Sequence, residues 1–83
     1  MLSKEELMEL FDEAIADKTM TEGTSLTLIV DIEEYPEYEE IKVKPMNLPY
    51  KKKYIEETYD EELVHKHSNG VQIVGCRMSK MYI

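Results

Sequence analysis

Leu26-Thr27-Leu28-Ile29-Val30-Asp31-Ile32, then Glu33-Glu34-Tyr35-Pro36-Glu37-Tyr38-Glu39-Glu40, then Ile41-Lys42-Val43-Lys44-Pro45, is the stretch from which the fold is read. In its first part Leu26, Leu28, Val30 and Ile32 alternate with Thr27, Ile29, Asp31 and Glu33, the period of two that lays one side of a strand on a core. In its last part Ile41 and Val43 alternate with Lys42 and Lys44, and Pro45 ends this second strand because it has no N–H for a ladder. The glutamates and the Tyr-Pro-Glu-Tyr between them turn the chain. A β-hairpin is the economical reading.

Towards the N-terminus, Ser3 and Glu6 form a capping box, and Leu2 and Leu7 stand where a hydrophobic staple clasps a helix start. The spacing predicts a helix over 4–17, with Leu7, Leu10, Phe11, Ala14 and Ile15 as its buried stripe and Glu5, Glu9, Asp12 and Glu13 facing outwards. Thr19 to Thr24 reads as a connection. Towards the C-terminus, Asn47-Leu48-Pro49 resembles a helix start. Tyr50, Tyr54, Ile55, Tyr59 and Leu63 extend a looser helical stripe to about Lys66, although a pair of short strands competes because Tyr, Thr and Val suit either state. Ser68-Asn69-Gly70 stops that element and Val71 to Met78 forms the last strand. Met81, Tyr82 and Ile83 are an apolar tail, docked or frayed.

The order is α-β-β-α-β, an α+β fold in which two helices cover one face of a three-stranded sheet. A right-handed β-α-β crossover makes the last strand parallel to the second, with strand order left open. The chain of 83 residues is read as one domain, 1–83, because two would each be too small to offset the entropy of ordering. A core of this size supplies only about 3–5 kcal/mol, and Cys76 alone allows no internal disulfide, so a homodimer is an open option.

Residues 1–40 carry a net charge of −11 and residues 41–83 a net +3, the two halves of the total of −8. Such a field selects cationic partners and disfavours direct contact with nucleic acid or anionic membrane. No apolar run approaches a membrane span, and Met1 to Lys4 lead into no signal-peptide core. One unpaired thiol suits a reducing cytoplasm.

The densest charge lies in Asp31, Glu33, Glu34, Glu37, Glu39 and Glu40, six carboxylates without a base. On a strand, residues two apart share a face, so Asp31 and Glu33 begin a row of anions of the kind a phosphate backbone presents. Such a row fits a Lys/Arg groove and releases salt as nucleic acid does. The alternative is a solvated hairpin whose charges keep a sheet edge from aggregating. Tyr35 and Tyr38 flank Pro36 inside the acid run. They are anchor candidates if exposed, and packing residues if their rings fold over the sheet end.

Other constellations are weaker. His65 and His67 have the spacing of two ligands on a strand edge, without a third at a recognised spacing, and are read as half-exposed residues at a helix end. Cys76 is read as a small buried hydrophobe. Lys51-Lys52-Lys53 fan around a helix as a solvated face. No phosphate-cradling glycine loop, metal site or positioned nucleophile–base pair stands out, so no cofactor and no enzymatic activity are expected.

Tyr54-Ile-Glu-Glu-Thr-Tyr-Asp-Glu-Glu-Leu63, followed by Asn69-Gly-Val-Gln-Ile-Val-Gly75, resembles the C-terminal part of small accessory proteins encoded by phages and prophages of Gram-positive bacteria. There a Tyr-rich helix precedes a Gly-Ile-x-Ile-Val-Gly strand, and the likeness transfers no catalytic residue. Lys51 to Lys53 and the two histidines are not matched by it. The resemblance implies an anti-CRISPR or other anti-defence inhibitor in the host cytoplasm, binding a host-defence protein through a basic nucleic-acid groove. The expected contact residues are Asp31, Glu33, Glu34, Tyr35, Glu37, Tyr38, Glu39 and Glu40. The alternative is a structural or regulatory phage protein that assembles with itself, acidic front to basic rear.

Overall fold

Helix α1 (Lys4–Ala16) begins where the capping box places it: the Ser3 side chain accepts from the Glu6 backbone N–H, and the Glu6 carboxylate accepts from the Ser3 N–H. These two bonds satisfy donors that a helix start otherwise leaves open. The chain is seen in a computed structural model that describes residues 2–17, 24–68 and 70–80. Strands β1 (Thr24–Ile32) and β2 (Glu39–Val43) form the hairpin, a 3-10 turn (Pro45–Asn47) leads into helix α2 (Leu48–Thr58), and β3 (Val71–Lys80) closes the order α-β-β-α-β. The connection expected over 19–23 and the tail 81–83 lie outside the described residues.

The sheet order is β2-β1-β3, with both neighbours antiparallel to β1. β3 therefore runs in the same direction as β2, as expected, but the crossover through α2 carries it past β1 to the far edge. Pairs such as Leu26↔Val43, Leu28↔Ile41 and Leu28↔Cys76 show which residues share a face, since opposed residues in a ladder point to the same side. Leu26, Leu28, Val30, Val43 and Ile73 form the buried floor, and Leu7, Phe11 and Ala14 of α1 with Leu48 and Ile55 of α2 form the roof. Both helices thus cover one face, which completes an α+β fold of two layers.

Two expectations need correction. Leu10 and Ile15 are exposed, because a helix lying on a sheet buries only the narrow strip of Leu7, Phe11 and Ala14. Helix α2 ends at Thr58 rather than near Lys66: the Tyr59 N–H still reaches the Ile55 carbonyl, but Tyr59 itself is extended. The stretch beyond it is a turn with isolated bridges Tyr59↔His65 and Val64↔Gln72, neither the extended helix nor a pair of full strands. Asp60 organises it, its Oδ1 accepting from the Glu62 and Val64 N–H groups at 2.9 and 3.0 Å. The turn delivers Leu63 to the core with no exposed surface, at a φ of 62°.

The pairing of β1 with β3 is irregular at one point. Ile29 pairs with Gly75 but Val30 with Ile73, so Val74 is an extra residue in a β-bulge. The bulge keeps Ile73 on the core face. Two further ties lock the helices to each other: Lys4 Nζ donates to the Glu56 and Tyr59 carbonyls at 2.8 and 2.7 Å, and Lys52 bridges Asp12 of α1 at 2.7 Å and Glu56 at 3.5 Å. The bond to Asp12 holds the Lys52 ammonium above its ordinary ionisation range, with some opposition from desolvation.

Candidate interaction surface at the hairpin tip

Asp31 and Ile32 are the last residues of β1, and the turn begins at Glu33. A one-turn reversal follows, closed by the Tyr35 N–H to the Ile32 carbonyl at 2.9 Å. A second support comes from the other end of the chain: the Glu33 N–H donates to the Gly70 carbonyl at 2.8 Å. Gly70 has φ +80°, and a Cβ there would stand 2.6 Å from Glu33 Oε2 and 2.7 Å from Glu33 Cβ. Only glycine permits this approach. The base of the tip is thereby pinned against the start of β3.

From Glu33 to Lys42 every residue is exposed. Tyr35 is 52% and Tyr38 62% exposed, so neither ring folds away over the sheet end. Among the described residues no cation stands within ion-pair distance of Asp31, Glu33, Glu34, Glu37 or Glu39. Asp31 and Glu33 line a shallow cleft of about 320 Å³ with Val64, Gly70, Val71 and Gln72. They are together there although Glu33 has already left the strand.

The six carboxylates do not form one row. Glu39 pairs with Val30 and faces the helix side, whereas Glu40 pairs with Ile29 and faces the open side, as alternation along a strand requires. Glu40 is also ion-paired with Arg77, which reaches it from β3 across β1. Thr27 lies fully buried on that same face. Glu40 thus helps to cover the sheet, and the free charge is concentrated in Glu33, Glu34 and Glu37, flanked by Asp31 and Glu39. Asp12, counted on the acidic helix face, is held by Lys52, while Glu5, Glu9 and Glu13 remain exposed.

The remaining candidates find structural places. His65 lies well past the end of α2, not at it: its Nδ1 accepts from the His67 N–H at 3.0 Å, its Nε2 meets the Tyr54 hydroxyl at 3.4 Å, and its ring packs edge-on to Tyr59. No group of three or more metal-ligating side chains occurs among the described residues. Cys76 is half-buried against the core, and burial pushes its thiol up to about 11, which favours the neutral form. Lys51 lies over the Tyr54 ring at 4.9 Å, a cation–π contact that sequence spacing alone did not reveal. No described helix is long and apolar enough to cross a membrane.

Comparison with protein-family models, with curated proteins and with solved structures finds no match.

Proposed function

We propose that this protein acts by binding, its hairpin tip entering the basic nucleic-acid channel of a partner and blocking it. Glu33, Glu34 and Glu37 meet lysines and arginines that otherwise hold phosphates, and Tyr35 and Tyr38 supply the area that anchors the contact. The observation that carries this reading is the pairing of two outward tyrosines with glutamates that have no cation within ion-pair distance among the described residues. A tip that only kept the protein soluble would need the charges but not the rings, because exposing an aromatic surface works against solubility.

The class of partner follows the phage resemblance: a host-defence nuclease, with the protein as an anti-CRISPR-like inhibitor that makes no direct contact with nucleic acid. The same tip fits the basic channel of any nucleic-acid enzyme, so the partner class rests on analogy with phage accessory proteins.

The test is binding to a purified defence nuclease with and without its nucleic acid. Three ion pairs at the tip predict an affinity that falls by about one to two orders of magnitude between ~50 and ~200 mM salt. Nucleic acid should compete, and the double variant Glu34→Lys/Glu37→Lys should lose binding while melting normally. Binding that is flat with salt, or that survives this charge reversal, removes the proposal.

A further inference from the structure

The outer edge of β2 is bare among the described residues, because β2 stands at one margin of the sheet and pairs only with β1. Beside it, on the helix side, runs a groove of about 310 Å³ lined by Ile41, Val43, Tyr50, Lys51 and Tyr54 among others. Ile41 is 38% and Tyr50 76% exposed, an apolar investment at an open ladder. The opposite margin is different. There β3 is partly covered, since the His65 N–H donates to the Val71 carbonyl and the Ile73 N–H to the Leu63 carbonyl, both at 2.9 Å.

We infer that the β2 edge is a self-association surface whose occupant is the β2 strand of a second copy, paired antiparallel about a two-fold axis at Ile41. The charge pattern selects this register. For two copies to continue one sheet with their helices on the same side, opposed residues must share a face, which restricts the centre of symmetry to a residue of β2. Centring on Lys42 opposes two ammonium groups, and centring on Glu40 opposes two carboxylates. Centring on Ile41 opposes Glu40 with Lys42 of the second copy, and does so twice.

The groove is filled by the same step. Ile41 of the second copy comes to lie against Ile41 on the groove side, and Glu39 of the second copy stands across from Val43, where Lys51 lines the wall. Arg77 engages Oε1 of Glu40 on the open face, and a carboxylate has a second oxygen for the incoming lysine. Both copies use the same edge, so the assembly closes as a dimer and leaves no β2 edge to propagate. A core built by 83 residues gains most from such added burial. The tip residues Glu33, Glu34 and Glu37 lie outside the paired segment, so this inference is independent of the hairpin's partner.

Light scattering on the full chain from about 1 μM to about 1 mM should show a monomer–dimer equilibrium. Lys42→Glu sets glutamate against Glu40 and should weaken the dimer by about tenfold or more, with unchanged circular dichroism. The swap Glu40→Lys/Lys42→Glu restores opposite charges in the same register and should recover the dimer, and residue 42 then stands in line with Thr27 and Arg77, which keeps an ion pair on that face. On a Cys76→Ser background, Ile41→Cys should oxidise to a cross-linked dimer, because opposed antiparallel residues stand at about 4.5–5.5 Å between Cα atoms, within disulfide range. A monomer at every concentration overturns the inference. So does a dimer indifferent to Lys42→Glu, a swap that fails to recover it, or Ile41→Cys that does not cross-link.

Discussion

Replacing Gly70 with alanine should destabilise the protein by about 2–3 kcal/mol, through a contact at the base of the hairpin tip. At φ +80° a side chain costs about 1–2 kcal/mol of backbone strain. The restricted unfolded chain returns about 0.4–1 kcal/mol of that. The larger part is steric: the new methyl would stand 2.7 Å from Glu33 Cβ, an atom fixed to the backbone and unable to swing aside. Overpacking of this kind costs about 1–3 kcal/mol. At roughly 0.05–0.15 kcal/mol per residue the whole protein has about 4–12 kcal/mol to lose, so the variant should still fold, with a melting temperature roughly 10–20 °C lower. Urea unfolding measures the loss directly, and a double-mutant cycle with Glu33→Gly isolates the steric part, since that change removes the atom being struck. A coupling energy near zero, or a loss below about 0.5 kcal/mol for Gly70→Ala, would refute the argument that Gly70 is required by its approach to Glu33.

Three other outcomes are expected. Lys4→Met removes the ammonium that caps the last carbonyls of α2 and should cost about 1–2 kcal/mol in urea unfolding, with Lys4→Arg recovering part of it. Asp60→Ala should cost about 1–2 kcal/mol and Asp60→Asn much less, because an amide oxygen can still accept from the Glu62 and Val64 N–H groups; equal losses would show that charge, not these bonds, matters. Burial raises the Cys76 thiol from an ordinary 9.0 to about 11, so folding favours its neutral form. The stabilising contribution is complete below pH 9 and is lost as pH climbs towards 11, and burial raises the Tyr59 phenol in the same sense. The melting temperature should therefore decline over that window, and less steeply in Cys76→Ala.

What the sequence disclosed was local. The capping box at Ser3, the alternation from Leu26 to Val30 and the prolines beyond Val43 each act within a few residues, and each appears where its chemistry puts it. What it concealed depends on neighbours distant in the chain. Tyr59 and Leu63 continue the helical spacing of α2 yet leave the helix, because Asp60 offers the backbone a competing set of bonds and the core accepts Leu63 from a turn as well as from a helix. Leu10 and Ile15 satisfy the period of a buried stripe, but a two-layer fold has no third layer to cover them. The bulge at Val74 leaves no trace in composition. At the tip, the sequence is compatible with Tyr35 and Tyr38 either exposed or folded over the sheet end, and they are exposed on a turn whose support arrives from Gly70.

That support also bears on how the tip can act. An acidic loop without a fixed base would lose conformational freedom on entering a groove, and each ordered residue would subtract from the affinity that its charge contributes. Here the Ile32–Tyr35 turn bond and the Glu33–Gly70 bond hold the loop at its root before any partner arrives. Glu40 has a different place in the same architecture: its side chain leaves on the opposite face from Glu39 and is ion-paired with Arg77. Charge reversal should then separate the two roles. At Glu34 or Glu37 it alters binding and leaves the sheet intact, whereas at Glu40 it breaks the pair that spans β1 and registers first in stability.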